Sequence, residues 1–335
     1  MTTVTRGTTG PILLVLFLAA AATYAAGTPE GTAWVESHGY KGCILLENGD
    51  VRVVLDPNLG GRVIEYSLKG TNAIYMDPAQ DGRMWQPGEP TFDPTGGRCD
   101  IGPEEIIAPH PELMLGKWTA AITGPRSARM TSVRHAVTGI QLVRDFRLDK
   151  TTSHLLFTQT IRNISGETKR YFHWGRTFAV GGGIFAMPLT PDSRFPQGYI
   201  NYGPGPVINY RPPQHPNVTV RDGFFVVTGE PPLPQYGIDS FAGWMGYITR
   251  SNLLFVKRYP VYPDRPYGEI PAPPAIIWYN KEEMCEIEPI APRETIRPGK
   301  SVSFTEDWWL FPYPYPPDRN VDLKALNEFV DKKAR

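Results

Sequence analysis

The residue types best suited to proton chemistry gather near the C-terminus, in Tyr279–Phe311, which reads Y-N-K-E-E-M-C-E-I-E-P-I-A-P-R-E-T-I-R-P-G-K-S-V-S-F-T-E-D-W-W-L-F. Two strands joined by a turn at Arg297-Pro298-Gly299-Lys300 account for this pattern. Over Glu283–Pro289 the alternation puts Met284, Glu286 and Glu288 on one face and Cys285 and Ile287 on the other. Carboxylates two residues apart on one strand face stand roughly 6.5–7 Å apart. Such a pair is expensive against an apolar core and useful in a cleft. The same alternation also describes the outward polar face of an antiparallel sheet.

A second chemical candidate lies mid-chain. The stretch Lys169–Ala179 (K-R-Y-F-H-W-G-R-T-F-A) reads as an aromatic strand, with His173 between Phe172 and Trp174, which fall on the opposite face. Imidazole changes charge near neutral pH, which suits proton transfer. A satisfied histidine on a sheet surface is the structural alternative. Gly96–Gly102 and Pro103–Pro111 combine acidic, basic and His side chains where regular alternation is lost. They are read as one long functional loop, with Trp85, Ile106, Ile107 and Trp118 to anchor it.

Positioning these groups falls to many short strands. Gly (33) and Pro (35) are abundant and long 3.6-period stretches are scarce, so an all-β chain rich in turns is expected. Asn48-Gly49-Asp50 signals a hairpin between Gly42–Glu47 and Val51–Leu55. Segments 181–216 and 259–274, dense in Pro and Gly, read as connections. Val321–Lys333 is the clear helical stretch, with Asp322 as its cap and Leu323, Leu326 and Val330 at near-helical spacing.

Arg6, the apolar run Pro11–Ala22 and the small residues up to Gly27 have the layout of a secretory signal peptide over residues 1–26. The run is too short to span a bilayer comfortably, so a secreted or periplasmic protein without stable membrane insertion is expected. Residues 27–335 are read as one domain. A formal net charge of zero and the lack of a basic run argue against nucleic acid as a partner. Cys43, Cys99 and Cys285 are widely spaced, so no metal site is expected. Export would allow one disulfide among them, with the pair left open.

Several strings taken together resemble the galactose mutarotase-like (aldose 1-epimerase) superfamily. Asn48–Tyr75 (N-G-D-V-R-V-V-L-D-P-N-L-G-G-R-V-I-E-Y-S-L-K-G-T-N-A-I-Y) is similar to its opening hairpin. Thr160–His173 looks like its mid-chain histidine strand, and Cys285–Pro289 with I-R-P-G-K-S-V and Trp308 looks like its C-terminal Glu strand. The resemblance implies a β-supersandwich of large antiparallel twisted sheets with long loops, a short C-terminal helix and a carbohydrate cleft on the concave sheet. By resemblance Glu288 would be the base and His173 the acid of sugar-anomer interconversion, with no cofactor. Paired acid–base help of this kind supplies about 10²–10⁴-fold per group.

Binding a mono- or oligosaccharide asks for aromatic faces and hydroxyl-chelating groups. Trp174, Arg176, Arg62, Glu104, His110 and Glu286 fit that description. The chain departs from the family in lacking an L-H-G-G string; a G-P-E segment at Gly102-Pro103-Glu104 stands there, as in some secreted relatives. A non-catalytic carbohydrate-binding or accessory protein is therefore the alternative, and a polysaccharide lyase or glycoside hydrolase a more distant one. No G-x-S-x-G, P-loop or dinucleotide fingerprint occurs.

Overall fold

A computed structural model describes residues 28–280 and 283–335 of the chain; the expected leader, residues 1–26, lies outside the described residues. Alternating strands and tight turns fold into two large antiparallel sheets. One runs in the order Thr32–Ser37, Tyr40–Glu47, Val51–Asp56, Arg62–Leu68, Gly97–Gly102, Lys169–Val180, Met284–Pro289, Ala275–Asn280, Gln235–Ile238, Tyr199–Tyr202, Ile208–Asn209. The other is built around Ser301–Pro312, flanked by Leu155–Asn163 and Leu253–Arg258. This is the all-β architecture that the strand pattern implied, with the two large antiparallel sheets and short C-terminal helix that the resemblance implied.

Local chemistry sets the turns. The Asn48 side-chain oxygen accepts from the amides of Asp50 (3.1 Å) and Val51 (2.9 Å), closing the first hairpin. Gly60 and Gly61 both take positive φ, and a Cβ on Gly60 would fall 1.9 Å from the Met114 carbonyl oxygen. Arg144 donates to the carbonyls of both glycines at 2.6 Å. The Leu323–Lys333 helix is capped by Asp322, which accepts from the Ala325 amide, and lays Leu323, Leu326 and Val330 against the outer side of the second sheet.

Between the sheets an apolar core surrounds a thin polar layer. Lys257 is fully buried, 2.9 Å from Glu306 and 3.1 Å from the carbonyl of Ile287. Arg144 donates to Gln159 (2.8 Å), whose amide nitrogen lies 3.3 Å from His173 Nδ1. All three cysteines are buried and free, so the disulfide that export would allow does not form.

The two strands expected near the C-terminus are present, but they do not pair with each other: Met284–Pro289 belongs to the first sheet and Ser301–Pro312 to the second. The turn at Arg297–Lys300 instead carries the chain across the sandwich, after Glu294–Ile296 has paired with the foot of Lys169–Val180. Gly97–Gly102 is no loop but a central strand whose six residues are all buried. Covered on both faces, it shows no alternation, and its charged residues disguised it.

Candidate functional site

Register places the chemistry. On the outer face of the first sheet, Arg98 stands opposite Arg176, and Asp100 opposite Trp174. Across the next strand pair Phe178 is opposite Glu286. Glu286 in turn faces Trp278, and Glu288 faces Ile276. Directly opposed residues on one sheet face have Cβ atoms about 4.5–5.5 Å apart. The four strands therefore present one continuous floor of two arginines, three carboxylates and two tryptophans.

The floor is bound by charge-assisted hydrogen bonds. Arg176 is bidentate on Glu286, at 2.9 and 3.3 Å, and lies 3.8 Å from Glu288. The Trp174 indole N–H donates to Glu288 Oε2 at 2.7 Å. Arg98 reaches Asp100 at 2.8 Å and Asp93 at 2.5 Å. Burial, then the neighbouring Glu286, hold the Glu288 carboxyl well above the usual range, against the opposing pull of Arg176. Burial also raises Glu286, with Arg176 opposing. For Asp93 burial pushes up, but Arg98 and Arg176 outweigh it and hold the carboxyl low.

Two walls rise from this floor. One is the 91–95 segment with the single-turn helix Glu104–Ile107; together with Asp93 and Arg176 they enclose a cleft of about 330 Å³. The other is the 259–274 connection. Tyr267 packs in a cluster with Phe172 and Trp174, and a Cβ on Gly268 would come within 2.3 Å of the Phe172 ring. Tyr202 donates to the Ile270 carbonyl (2.9 Å) and Arg194 to that of Ala272 (2.7 Å). This wall carries Glu269, whose carboxyl is pushed up to about 7 by burial, with Glu104 and Glu105 adding and Arg176 opposing. A larger cleft, about 650 Å³, opens beside Tyr199, His215 and Val218, but no carboxylate or guanidinium lines it.

The structure brings Trp174, Arg176, Glu286 and Glu288 together, with Glu104 on the rim. It does not bring His173 to them. His173 alternates with Trp174 and so points between the sheets, 1% exposed, its ring stacked 5.9 Å from that of Phe304. Burial lowers its pKa to about 3, with Arg144 adding to the effect, so the imidazole is neutral and sealed from the cleft. The expectation that Glu288 and His173 bracket one hollow is overturned by this one-residue difference in parity.

Arg62 lies on the outer side of the same sheet but is buried and spent on structure. It pairs with Asp56 (3.3 Å), donates to the Tyr40 hydroxyl (3.0 Å) and to the carbonyl of Thr95, and so braces the wall that carries Asp93. The His110 ring lies 4.9 Å from that of His135, tilted by 54°, and His135 approaches Glu112, on a separate patch. Sequence reasoning missed Asp93, Arg98, Asp100, Tyr202, Glu269 and Trp278. Trp278 was legible: it occupies the outward parity of a strand paired with the Glu strand, and it remains 37% exposed.

With this geometry in view, comparison with known proteins is informative about the fold. No family model and no curated protein matches the sequence. Among solved structures, a galactose mutarotase-like protein from Lactobacillus casei superposes with a TM-score of 0.56 at 11% identity, covering 81% of this chain and 100% of that one. A candidate aldose 1-epimerase from Escherichia coli K12 gives 0.54 at 13% identity, covering 80% and 98%. A galactose mutarotase-like protein from Clostridium acetobutylicum gives 0.51 at 12% identity, covering 84% and 98%. The chain has the galactose mutarotase-like fold.

Proposed function

We propose that the chain is an exported protein, one domain over residues 27–335, that recognises a carbohydrate on the outer face of its larger sheet. The observation that carries this reading is Trp278, 37% exposed and directly opposite the Arg176–Glu286 pair. A tryptophan face offers an apolar platform to sugar C–H groups, and a bidentate arginine–carboxylate pair fixes the donors and acceptors beside it. Isothermal titration of the full chain against free aldoses tests it. Trp278→Ala should weaken binding by roughly tenfold or more, from the ring area lost. Absence of binding to any aldose overturns the reading.

A second reading, aldose 1-epimerase activity, is favoured by two carboxyls held above their usual range, Glu288 and Glu269. Both also act on the Tyr202 hydroxyl, which burial raises first. In this reading Glu288 gives its proton to the ring oxygen while Glu269, as carboxylate, takes the proton of the anomeric hydroxyl. The C1–O5 bond opens to the aldehyde, and closure on the other face returns both protons. Polarimetry decides: Glu288→Gln should lower the rate about 10²-fold or more. A wild-type rate equal to that of buffer leaves binding as the whole function.

A further inference from the structure

We infer that the cleft takes a sugar bearing an ammonium group and rejects sugars bearing a carboxylate or phosphate; this rests on the carbohydrate reading above. Both guanidinium groups of the floor are already consumed within the chain. Arg98 is held by Asp93 and Asp100 and donates to the Pro94 carbonyl. Arg176 is clamped on Glu286, with Glu288, Asp93 and Asp100 all within 3.9 Å. Each is paired with carboxylates of the chain, so an incoming anion would have to compete for a charge already offset.

The acceptors are in the opposite position. Glu269 Oε2 is buried without a hydrogen-bond donor. Glu104, which lines the cleft, and the exposed Glu105 beside it make no ion pair among the described residues, and both bear electrostatically on Glu269. A buried oxygen without a donor carries a standing desolvation penalty that an incoming N–H relieves. An ammonium brings three donors and a positive charge, and the exposed Trp278 ring attracts that charge as well. A carboxylate or phosphate would meet Glu104, Glu105 and Glu269 with no unpaired guanidinium to offset them.

The test is a matched series titrated into the full chain at low salt and about pH 7.5, above the value of about 7 at which Glu269 loses its proton and below the usual range of an amine. Glucosamine and galactosamine are compared with glucose, galactose, N-acetylglucosamine, glucuronate and glucose 6-phosphate. The amino sugars should bind at least about tenfold more tightly than their hydroxyl counterparts, with the acidic sugars weakest. The advantage should shrink with added salt and fall towards unity in the Glu104→Gln, Glu105→Gln double variant. Equal affinity for glucose and glucosamine, or tighter binding of either acidic sugar, overturns the ammonium assignment and leaves the carbohydrate reading standing. Failure of every sugar to bind removes both.

Discussion

Glu269, half-buried, and His173, fully buried, are titratable groups whose shifts run in opposite senses on pH, and each leaves its own mark on stability. Glu269 is raised from 4.5 to about 7, so between those values the folded chain holds a proton that the unfolded chain has lost. Its contribution to stability is present below about pH 4.5 and is lost as pH climbs to about 7. Glu269→Gln should flatten that decline in urea unfolding followed across the range. His173 is lowered from 6.5 to about 3, so in acid the unfolded chain takes up a proton that the folded chain refuses. Stability therefore falls as pH drops from 6.5 towards 3. His173→Gln should lose about 1–2 kcal/mol at pH 7, through packing and the Gln159 contact, yet show a shallower acid limb. An unchanged acid limb would count against a neutral, buried imidazole.

At the scale of elements, the strand Met284–Pro289 is held from behind. Lys257, on a strand of the opposite sheet, donates to the Ile287 carbonyl between the two site glutamates and pairs with Glu306. Gly175 leaves the room: a Cβ there would come 2.0 Å from Glu306 Oε1. Lys257→Met should destabilise the fold by about 3–5 kcal/mol, because Glu306 is left buried without its cation. Urea unfolding measures this directly. The alternation of the Glu strand was legible because its inward residues, Cys285 and Ile287, are apolar and its outward ones acidic. The strand Gly97–Gly102 was not, because Arg98 and Asp100 are roofed over by the 91–95 segment, and a two-sided burial leaves no period to read.

For the molecule as a whole, turn chemistry at Asn48-Gly49 and Gly60-Gly61, frequent short strands and the capped terminal helix carry the fold into the sequence. The site is carried less well. Trp174, Arg176 and the two glutamates follow from parity, whereas Glu269 is brought in by a Pro-rich connection whose path depends on contacts with Phe172, Arg194 and Tyr202. His173 misleads because an aromatic strand buried on both faces gives no cue to which side is the cleft.

Lys257 has a final consequence. A basin bolted to its chassis from underneath opens less readily at the base than at the brim. Amide deuteration should accordingly reach 269–272 long before 285–288. Engineering the residence time of a ligand is then a matter of trimming the Pro-rich brim around Ala272, where Arg194 latches it, while leaving the bolted strand untouched.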